Sequence, residues 1–388
     1  MTSAYRQPSG WQRLQPYLQG FDTGLLLAMA WLCSLGLLIM YSAGYDHGTR
    51  FVDHLRNMLI AAVVMFAVAQ VPPHRLLRLA VPLYTAGVVL LIAVALFGVT
   101  KKGATRWLNV GVAVIQPSEI LKIAMPLMLA WWFQRRESLA GQLRRSDFLV
   151  AGVLLALPFL LIAKQPDLGT AILVFSAGFF VIFFAGLSWR LIVPVMVIGL
   201  LGVGLIIGWS DAICLPDVKW PLLREYQKHR VCTLLDPTTD PLGKGFHIIQ
   251  GMIAIGSGGF FGKGLMQGTQ THLEFIPERT TDFIFAAYAE ELGLAGVMLL
   301  LAGFGFLLLR GLMIAGSAPT LFTRLLAGSI TLSLFTYAFV NVGMVSGILP
   351  VVGVPLPFIS YGGTAMVSLG LALGLLMAIA RSRGLMQR

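Results

Sequence analysis

Charged residues are scarce in this sequence. Only 12% of its 388 residues are Asp, Glu, Lys or Arg, whereas 57% are hydrophobic and the mean hydropathy is +0.82. Soluble domains carry about 25% charged residues. The deficit therefore excludes an ordinary soluble protein and indicates one that is embedded in a membrane.

Acidic residues are the scarcer of the two charge classes, with 17 against 28 basic residues and a net charge of +11. In a soluble chain this excess would suggest a nucleic-acid partner. Here no run of Lys and Arg is long enough to form a nucleic-acid-binding arm. The excess is instead typical of basic residues held in cytoplasmic loops, so no nucleic acid is expected as a partner.

Cysteine is also rare, and no His/Cys motif with metal-ligand spacing is present. Cys33 lies inside the first apolar run, where it is expected to be a small core residue. Cys214 and Cys232 fall in one extramembrane loop. In an oxidising compartment they could pair and close a short loop, which we treat as a hypothesis.

Long apolar segments are what the sequence has in abundance. Each is near the ~20 residues that a bilayer requires, and their continuity excludes the alternating pattern of an outer-membrane barrel. They predict an all-α, polytopic membrane protein of about ten spans in one domain, 1–388. The segments are 23–43, 56–71, 76–98, 117–134, 147–164, 168–187, 190–210, 282–309, 324–349 and 364–381.

The distribution of basic residues predicts the orientation. With the N-terminus inside, inner segments hold fourteen and short outer loops hold six, so both termini, 1–22 and 382–388, are expected in the cytoplasm. The outer six are Arg50, Arg56, Lys101, Lys102, Arg106 and Lys164. The inner fourteen are Arg6, Arg13, Arg75, Arg78, Arg135, Arg136, Arg144, Arg145, Arg190, Arg310, Arg324, Arg381, Arg383 and Arg388.

Two regions depart from short connections. Residues 211–281, between spans 7 and 8, form a long outer loop, and loops of that size are usually functional. Residues 346–363 are apolar but rich in Gly and Pro. They cannot continue a helix, so a re-entrant or buried outer segment is predicted, tolerated where protein or water covers its backbone.

Polar side chains gather at the outer ends of several spans, which makes them candidates for a functional site. Asp282 heads the eighth span. The others are Lys101, Lys102 and Arg106 before the fourth span, Glu119 and Lys122 at its start, and Lys164, Gln165 and Asp167 between the fifth and sixth.

Structural roles compete with functional ones at these positions. Glu119 and Lys122 are three residues apart and can simply pair on a helix. Asp167 and Asp282 can each cap a helix N-terminus. The run "GSGGFFGKG", 256–264, is a weak match to a phosphate loop, although it supplies one cation, Lys263. The basic stretch 222–231 can attract phosphates or lie on the membrane surface.

Five motifs in order resemble the SEDS family of bacterial cell-wall polymerases. They are "RWLNVGVAVIQPSEILKIAMP" (106–126), "AKQPDLGTAI" (163–172), "LLDPTTDPLGKGFHIIQGMIAIGSGGFFGKG" (234–264), "LEFIPERTTDFIFAAYAEELGLAG" (273–296) and "NVGMVSGILPVVGVPLPFISYGG" (341–363). Within that family, "GTQTHLEFIPERTTDFIF" is more similar to rod-shape-determining members than to division members.

The resemblance implies an inner-membrane glycosyltransferase that polymerises lipid II on the periplasmic face during cell elongation. It implies a class B penicillin-binding protein and other elongation-complex membrane proteins as partners. The family's key acid falls on Asp282, as a base or a ligand of a divalent cation such as Mg²⁺ or Mn²⁺. Supporting positions fall on Glu119, Gln165 and Asp167. Candidates to hold pyrophosphate are Arg106, Lys122, Arg279, Lys101, Lys102 and Lys263.

Two other classes compete with this reading. A transporter of the lipid-linked precursor would also have about ten spans with charges in the bundle, although carriers hold substrate near the midplane. A scaffold that only docks a penicillin-binding protein would leave the clustered acid and cations unexplained.

Overall fold

The computed structural model describes residues 20–386, except 47, 102–103, 110–113, 216–217, 219, 221–224, 241–242, 274 and 277. The described chain is predominantly helical, which confirms the predicted all-α membrane fold. The first seven helices are Thr23–Ala43 (α1), Arg50–Ala69 (α2), Pro73–Phe97 (α3), Pro117–Ala140 (α4), Arg145–Lys164 (α5), Leu168–Phe184 (α6) and Trp189–Gly208 (α7).

Short helices then follow within the long loop. They are Ser210–Ile213 (α8), Glu225–Leu235 (α9), a 3₁₀ turn at Pro237–Thr239, Lys244–Ser257 (α10) and Thr269–His272 (α11). The chain ends with three long helices, Ile284–Gly316 (α12), Leu321–Val345 (α13) and Gly363–Met386 (α14).

Each of the ten predicted apolar segments coincides with one long helix, α1–α7 or α12–α14. Within the described residues, eight of these helices are long and apolar enough to cross a membrane. The other two are α6, which is shorter, and α4, which carries charges at both ends. Boundaries differ most at the end of α12, which is Gly316 instead of residue 309, and they differ by six residues at the start of α2, which begins at Arg50 instead of residue 56. Its polar first turns belong to the helix but not to the apolar run, so hydropathy alone does not reveal them.

Capping residues explain where several helices begin. The carboxylate of Asp22 accepts a hydrogen bond from the Leu25 backbone N–H at 2.9 Å, and Asp167 likewise caps α6. Pro73 and Pro117 occupy the first turns of α3 and α4, where the missing N–H of proline costs nothing. The starting points of these helices are therefore determined by residues in and next to their first turns.

A small antiparallel sheet precedes α4 and was not predicted. Strands Val99–Lys101 (β1), Ala104–Asn109 (β2) and Val114–Ile115 (β3) pair in the order β1-β2-β3. Thr100 lies opposite Thr105, and Leu108 lies opposite Ile115. The sheet brings Arg106 to the end of the bundle at which α4 and α6 begin.

The core lies where α13 packs against α6 and α12, and α2 packs closely against α14. A Cβ atom on Gly370 of α14 would lie 2.4 Å from the Ala61 carbonyl oxygen of α2. Small residues of this kind allow helix backbones to approach closely in membranes. In contrast, α7 buries a single side chain, Ile192, and leaves its apolar surface exposed, as expected of a lipid-facing span.

The first half of the long loop is fastened by covalent and polar contacts. Cys214 and Cys232 form a disulfide with a Cα–Cα distance of 5.6 Å. The Lys228 ammonium donates to the carbonyl oxygens of Leu215 and Val218 at 2.7 and 2.6 Å. Together these contacts hold α9 against the segment that follows α7.

The second half of the long loop docks into a kink of α12. Gly293 has φ +63° and interrupts the helix. The backbone N–H groups of Leu294 and Ala295 donate to the carbonyls of Gly259 and Phe260, each at 2.9 Å. The Gly-rich loop therefore satisfies backbone groups that the kink frees, which a membrane-embedded helix requires.

The re-entrant segment, residues 346–362, links α13 to α14 without regular structure. Residues 351–360 are mostly buried, and the segment packs against α1, α2, α6 and the residues that precede α12. Its buried, non-helical backbone agrees with the prediction for 346–363.

Candidate active site

Asp282 lies in a tight turn immediately before α12. The Phe283 N–H donates to the Glu278 carbonyl at 3.1 Å, and the Thr281 hydroxyl donates to the Glu278 carboxylate at 2.6 Å. The helix begins after Phe283, whose side chain makes no cap, so neither Asp282 nor Thr281 occupies the N-cap position. The Asp282 side chain is half-buried at the edge of the bundle.

Three consecutive carbonyls of this turn each accept a hydrogen bond from a distant part of the chain. The Tyr361 N–H donates to Thr280 O at 2.8 Å, and the Ser360 hydroxyl donates to Thr281 O at 2.7 Å. The Asn341 side-chain amide donates to the backbone carbonyl of Asp282 at 2.9 Å. We call these three donors the carbonyl clamp. It orients the turn that carries the Asp282 carboxylate.

Asn341 also joins the turn to the re-entrant segment. It is fully buried in α13, and its amide donates to the Val354 carbonyl at 2.7 Å as well. Gly353, beside Val354, has φ +75°, a left-handed conformation that favours glycine. A Cβ atom there would lie 3.3 Å from Asp282 Oδ2. The carboxylate therefore faces a glycine backbone.

A second polar group surrounds Asp167 at the N-terminus of α6. Arg106 Nη1 lies 3.4 Å from Asp167 Oδ1, and Arg106 Nη2 donates to the Pro166 carbonyl at 3.2 Å. The Gln116 amide donates to Asp167 Oδ2 at 3.0 Å. Asp167 thus caps the helix and holds an arginine at once. The predicted supporting residue Gln165 lies nearby and donates to Leu91 O at 3.2 Å.

The re-entrant segment lies close both to the first turn of α6 and to Asp282. A Cβ atom on Gly169 in the first turn of α6 would lie 2.7 Å from the Val352 carbonyl. The next residue of the segment, Gly353, adjoins Asp282. Gly169, two residues after Asp167, and the Asp282 carboxylate therefore both lie next to residues 352–353.

Glu119 and Lys122 form the predicted ion pair in the first turns of α4. Lys122 Nζ lies 2.6 Å from Glu119 Oε1, and the Ser368 hydroxyl donates to Glu119 Oε2 at 3.0 Å. Lys122 also lies 5.4 Å from the centre of the Tyr337 ring. The pair thereby connects α4 with α13 and α14.

A partly open cavity adjoins Lys122. Its walls come from α4, α6, α13, α14 and the re-entrant segment, and they are mainly apolar. Ser360 lines the cavity and also donates to the Asp282 turn. The cavity therefore extends from the buried lysine to the backbone that positions the acid.

The Arg279 side chain contacts the end of α1 and the loop between α1 and α2. It is buried, forms an ion pair with Asp46, and donates to the Ala43 carbonyl at 3.1 Å. Its guanidinium also lies 5.6 Å from the Tyr45 ring centre. These contacts stabilise the turn before Asp282, and the predicted role in binding pyrophosphate stays a prediction.

Lys263 is likewise held within the protein. Its ammonium lies 2.7 Å from Glu290 Oε1, and Glu290, fully buried in α12, also accepts hydrogen bonds from residues 269–271. Glu291 accepts from the Ser42 hydroxyl at 2.6 Å. The Gly-rich loop is thus closed onto α12, so Lys263 is not placed with Asp282.

The structure gives little information on the two lysines before the fourth span. Lys101 ends strand β1, and Lys102 lies outside the described residues. Their predicted contact with pyrophosphate stays a prediction.

Sequence reasoning did not single out Asn341, Ser360 or Tyr361, although they lie in a quoted motif. An asparagine inside an apolar span is a signal that was available, because buried amides in membranes require partners. Arg230 was noted only as part of a basic stretch. Its neighbours become visible only when α9 is placed beside α5 and α6.

Comparisons with known proteins agree along nearly the whole chain. Residues 23–384 match the model of a family described as cell cycle protein, which covers FtsW, RodA and SpoVE. The peptidoglycan glycosyltransferase MrdB of Escherichia coli is 48% identical over 366 residues, 94% of this chain and 95% of that protein. The peptidoglycan glycosyltransferase RodA of Treponema pallidum is 33% identical, covering 92% of this chain and 97% of its own length.

Solved structures give the same result for the fold. A chain from a peptidoglycan synthase complex, whose structure is described in terms of coordinated polymerization and crosslinking, matches with a TM-score of 0.75 and 33% identity. The match covers 94% of this chain and 99% of that chain. The rod shape determining protein RodA of Thermus thermophilus matches with a TM-score of 0.68 and 28% identity, over 95% and 99% of the two chains.

Proposed function

This chain belongs to the family of the cell cycle proteins FtsW, RodA and SpoVE, and from that premise we propose that it polymerises lipid II with Asp282 as the catalytic base. The predicted family and the predicted peptidoglycan glycosyltransferase activity are confirmed. The remaining assignments concern the substrate, the residues and the side of the membrane.

The observation that carries the proposal is a half-buried carboxylate held in place by its own backbone. The carbonyl clamp fixes residues 280–282, and Gly353 leaves space beside Asp282 Oδ2. A base must lie within hydrogen-bond reach of the hydroxyl that it deprotonates. A rigid turn beside an open glycine backbone meets that requirement better than a mobile loop.

The chemistry assigned to Asp282 is the removal of a proton from a sugar hydroxyl. As the proton moves to the carboxylate, the hydroxyl oxygen bonds to the anomeric carbon of a second sugar. The bond from that carbon to the diphosphate breaks, and its electron pair leaves with the diphosphate. Negative charge therefore develops on the leaving group, where fixed cations stabilise the transition state.

Among the predicted cations, Arg106 and Lys122 suit this role by position. Arg106 is paired with Asp167, two residues before the Gly169 that packs against Val352, and Lys122 lies at the wall of the cavity that reaches Ser360. Arg279 and Lys263 are paired with Asp46 and Glu290. We propose that those two maintain the site, and their predicted contact with pyrophosphate stays a prediction.

We propose only one binding mode for a divalent cation. In the part of the chain that the structure describes, no group of three or more His, Cys, Asp or Glu could hold a metal ion. Mg²⁺ or Mn²⁺ would bind through the substrate's diphosphate with Asp282 as a single protein ligand, a mode that Mg²⁺ often uses, and Asp282 would then be a ligand instead of the base.

Location and partners follow from different observations. We propose the inner membrane, with both termini in the cytoplasm and Asp282 facing the periplasm, because basic residues favour that orientation. A class B penicillin-binding protein is proposed as partner because a structural relative belongs to a complex that coordinates polymerization with crosslinking. Other elongation-complex membrane proteins are expected to join them.

The decisive experiment is polymerisation of lipid II by purified protein in detergent, with the products resolved on a gel. Detergent removes the two membrane leaflets, so a polymer identifies an enzyme rather than a transporter or scaffold. Asp282→Asn is expected to reduce the rate by about 100-fold or more, the usual contribution of a general base. Thermal unfolding should be unchanged.

The matched control is Glu278→Gln, which neutralises an exposed acid in the same turn and keeps an acceptor for Thr281. It should retain wild-type polymerisation. Full activity of Asp282→Asn, or equal losses in both variants, would contradict the assignment of Asp282 as base.

A further inference from the structure

Arg230 of α9 lies beside Arg106 at the outer ends of α5 and α6. The Tyr226 hydroxyl donates to the Ala163 carbonyl at 3.4 Å and docks α9 onto α5. Arg230 lies 5.8 Å from the Tyr226 ring centre. Burial lowers the pKa of the Arg230 guanidinium, and the positive charge of Arg106 lowers it further. Two arginines from distant parts of the chain thus share one location.

Among the residues that the structure describes at this location, positive charge exceeds negative charge. Asp167 is the carboxylate that interacts with both arginines, and its oxygens also accept from Gln116 and from the Thr170 N–H. Among the described residues, the buried Nη1 of Arg230 and Nε of Arg106 have no hydrogen-bond partner. Like charges and unsatisfied buried donors both cost free energy, which an anion binding between them would recover.

The structure holds Arg230 rigidly from the opposite face of α9. Lys228 is bound by two carbonyls, and the disulfide joins Cys232 to Cys214. These contacts restrain α9. Ligand binding therefore requires little further loss of conformational freedom at Arg230. Such pre-organisation favours affinity.

The location also suits the substrate. Asp167 lies two residues before Gly169, which packs against the Val352 carbonyl, and the next residue along, Gly353, adjoins Asp282. An anion bound by the arginines would therefore lie near the part of the re-entrant segment that adjoins the proposed base. That placement fits a substrate whose diphosphate is attached to the reacting anomeric carbon.

We propose that Arg106 and Arg230 together bind the diphosphate of the lipid-linked substrate, so that the long loop contributes α9 to the active site. This inference rests on the proposed function. The guanidinium fork can donate two parallel hydrogen bonds to a phosphate, and it stays charged in a partly buried site. The phosphate of an anionic phospholipid offers the same chemistry and is the other source that the test separates.

The test measures substrate binding in the Asp282→Asn background, where turnover does not interfere. The probe is fluorescent lipid II in detergent micelles, with inorganic pyrophosphate and phosphatidylglycerol as competitors. Arg230→Gln is expected to raise the Kd about tenfold or more, as expected for loss of a charge-assisted hydrogen bond. Arg230→Lys should recover part of the loss, and pyrophosphate should displace the probe from the parent protein but much less from Arg230→Gln.

Arg56→Gln is the control, because it removes an exposed outer-side cation of α2. Its Kd should stay within about twofold of the parent value, since a surface charge contributes little. Thermal unfolding and the mobility of unreduced protein on gels report whether α9 stays folded. If Arg230→Gln unfolds, Arg106→Gln and Arg230→Lys carry the same test.

An unchanged Kd in folded Arg230→Gln overturns the inference. So does displacement of the probe by phosphatidylglycerol as effectively as by pyrophosphate, which would assign the arginines to a phospholipid headgroup. Failure of the proposed function gives a different result. The Asp282→Asn protein would then bind the probe, but the wild-type protein would form no polymer.

Discussion

At the scale of single residues, the space beside Asp282 depends on one glycine. Gly353 combines a left-handed φ of +75° with a position next to the carboxylate. Gly353→Ala adds strain of about 1–2 kcal/mol and pushes a methyl group against Asp282 Oδ2. We expect a roughly tenfold loss of polymerisation rate, since small misplacements of catalytic groups are costly.

Gly141 provides a matched control for that substitution. It has a similar left-handed φ of +70° at the end of α4, and a Cβ atom there meets nothing within 4 Å. Gly141→Ala should show a comparable shift in unfolding temperature and keep its rate. Equal rates in the two variants would mean that crowding of Asp282 does not matter.

Asn341 is expected to act on the rate through the backbone that it holds. Asn341→Leu removes the donor to the carbonyls of Asp282 and Val354. Each buried carbonyl left unpaired costs about 1–3 kcal/mol. We predict a lower kcat with little change in KM, measured in the same polymerisation assay.

The control for Asn341 lies on the same helix. The hydroxyl of Ser329 donates to the Ala177 carbonyl at 2.6 Å, away from the Asp282 turn. Ser329→Ala should lower stability and spare kcat. A purely structural role for Asn341 would make the two variants alike.

At the scale of helices, the pair Glu119–Lys122 ties α4 to α14 and to the cavity. Glu119→Ala leaves Lys122, which is 8% exposed, without its carboxylate. Removing one member of a buried pair costs about 3–5 kcal/mol. We therefore expect a lower unfolding temperature and a lower rate from Glu119→Ala.

The double variant Glu119→Met with Lys122→Met separates the structural role of the pair from its chemical role. Replacing both charges by apolar groups is often neutral for stability, so the unfolding temperature should recover. The rate should not recover, because Lys122 is a proposed substrate-binding cation. Recovery of both quantities would assign the pair to structure alone.

Local spacing explains which of these contacts were predictable from the sequence. The Glu119–Lys122 pair and the cap by Asp167 depend on steps of three residues along one helix, and both are present as expected. The ten apolar segments also correspond to helices, because the hydropathy of a segment depends only on the residues within that one span. Their polar ends were missed, as at Arg50, because the helix outlasts the apolar run.

Contacts between distant segments were not predictable in the same way. Arg279 pairs with Asp46, 233 positions away, and its predicted contact with the substrate stays a prediction. Lys263 pairs with Glu290 because the Gly-rich loop folds back onto α12. Nothing in the spacing of these residues indicates either partner, since each is brought in by the packing of a separate helix.

At the scale of the whole molecule, the orientation rests on the uneven distribution of basic residues. The predicted outer side holds α8–α11, the disulfide and the Asp282 turn. An oxidising compartment is where a disulfide persists, so its presence in the long loop and the count of arginines point to the same face. Neither argument uses the catalytic assignment.

Single cysteines can test this orientation in a Cys33→Ser background, in which Cys214 and Cys232 are paired. Thr239→Cys lies in the exposed part of the long loop, and Ser138→Cys lies at the opposite end of the bundle on α4. A membrane-impermeant maleimide should label Thr239→Cys in intact spheroplasts and Ser138→Cys only after lysis. The reverse pattern would place Asp282 in the cytoplasm, where a base for extracytoplasmic glycan synthesis has no substrate, and the proposed mechanism would fail with it.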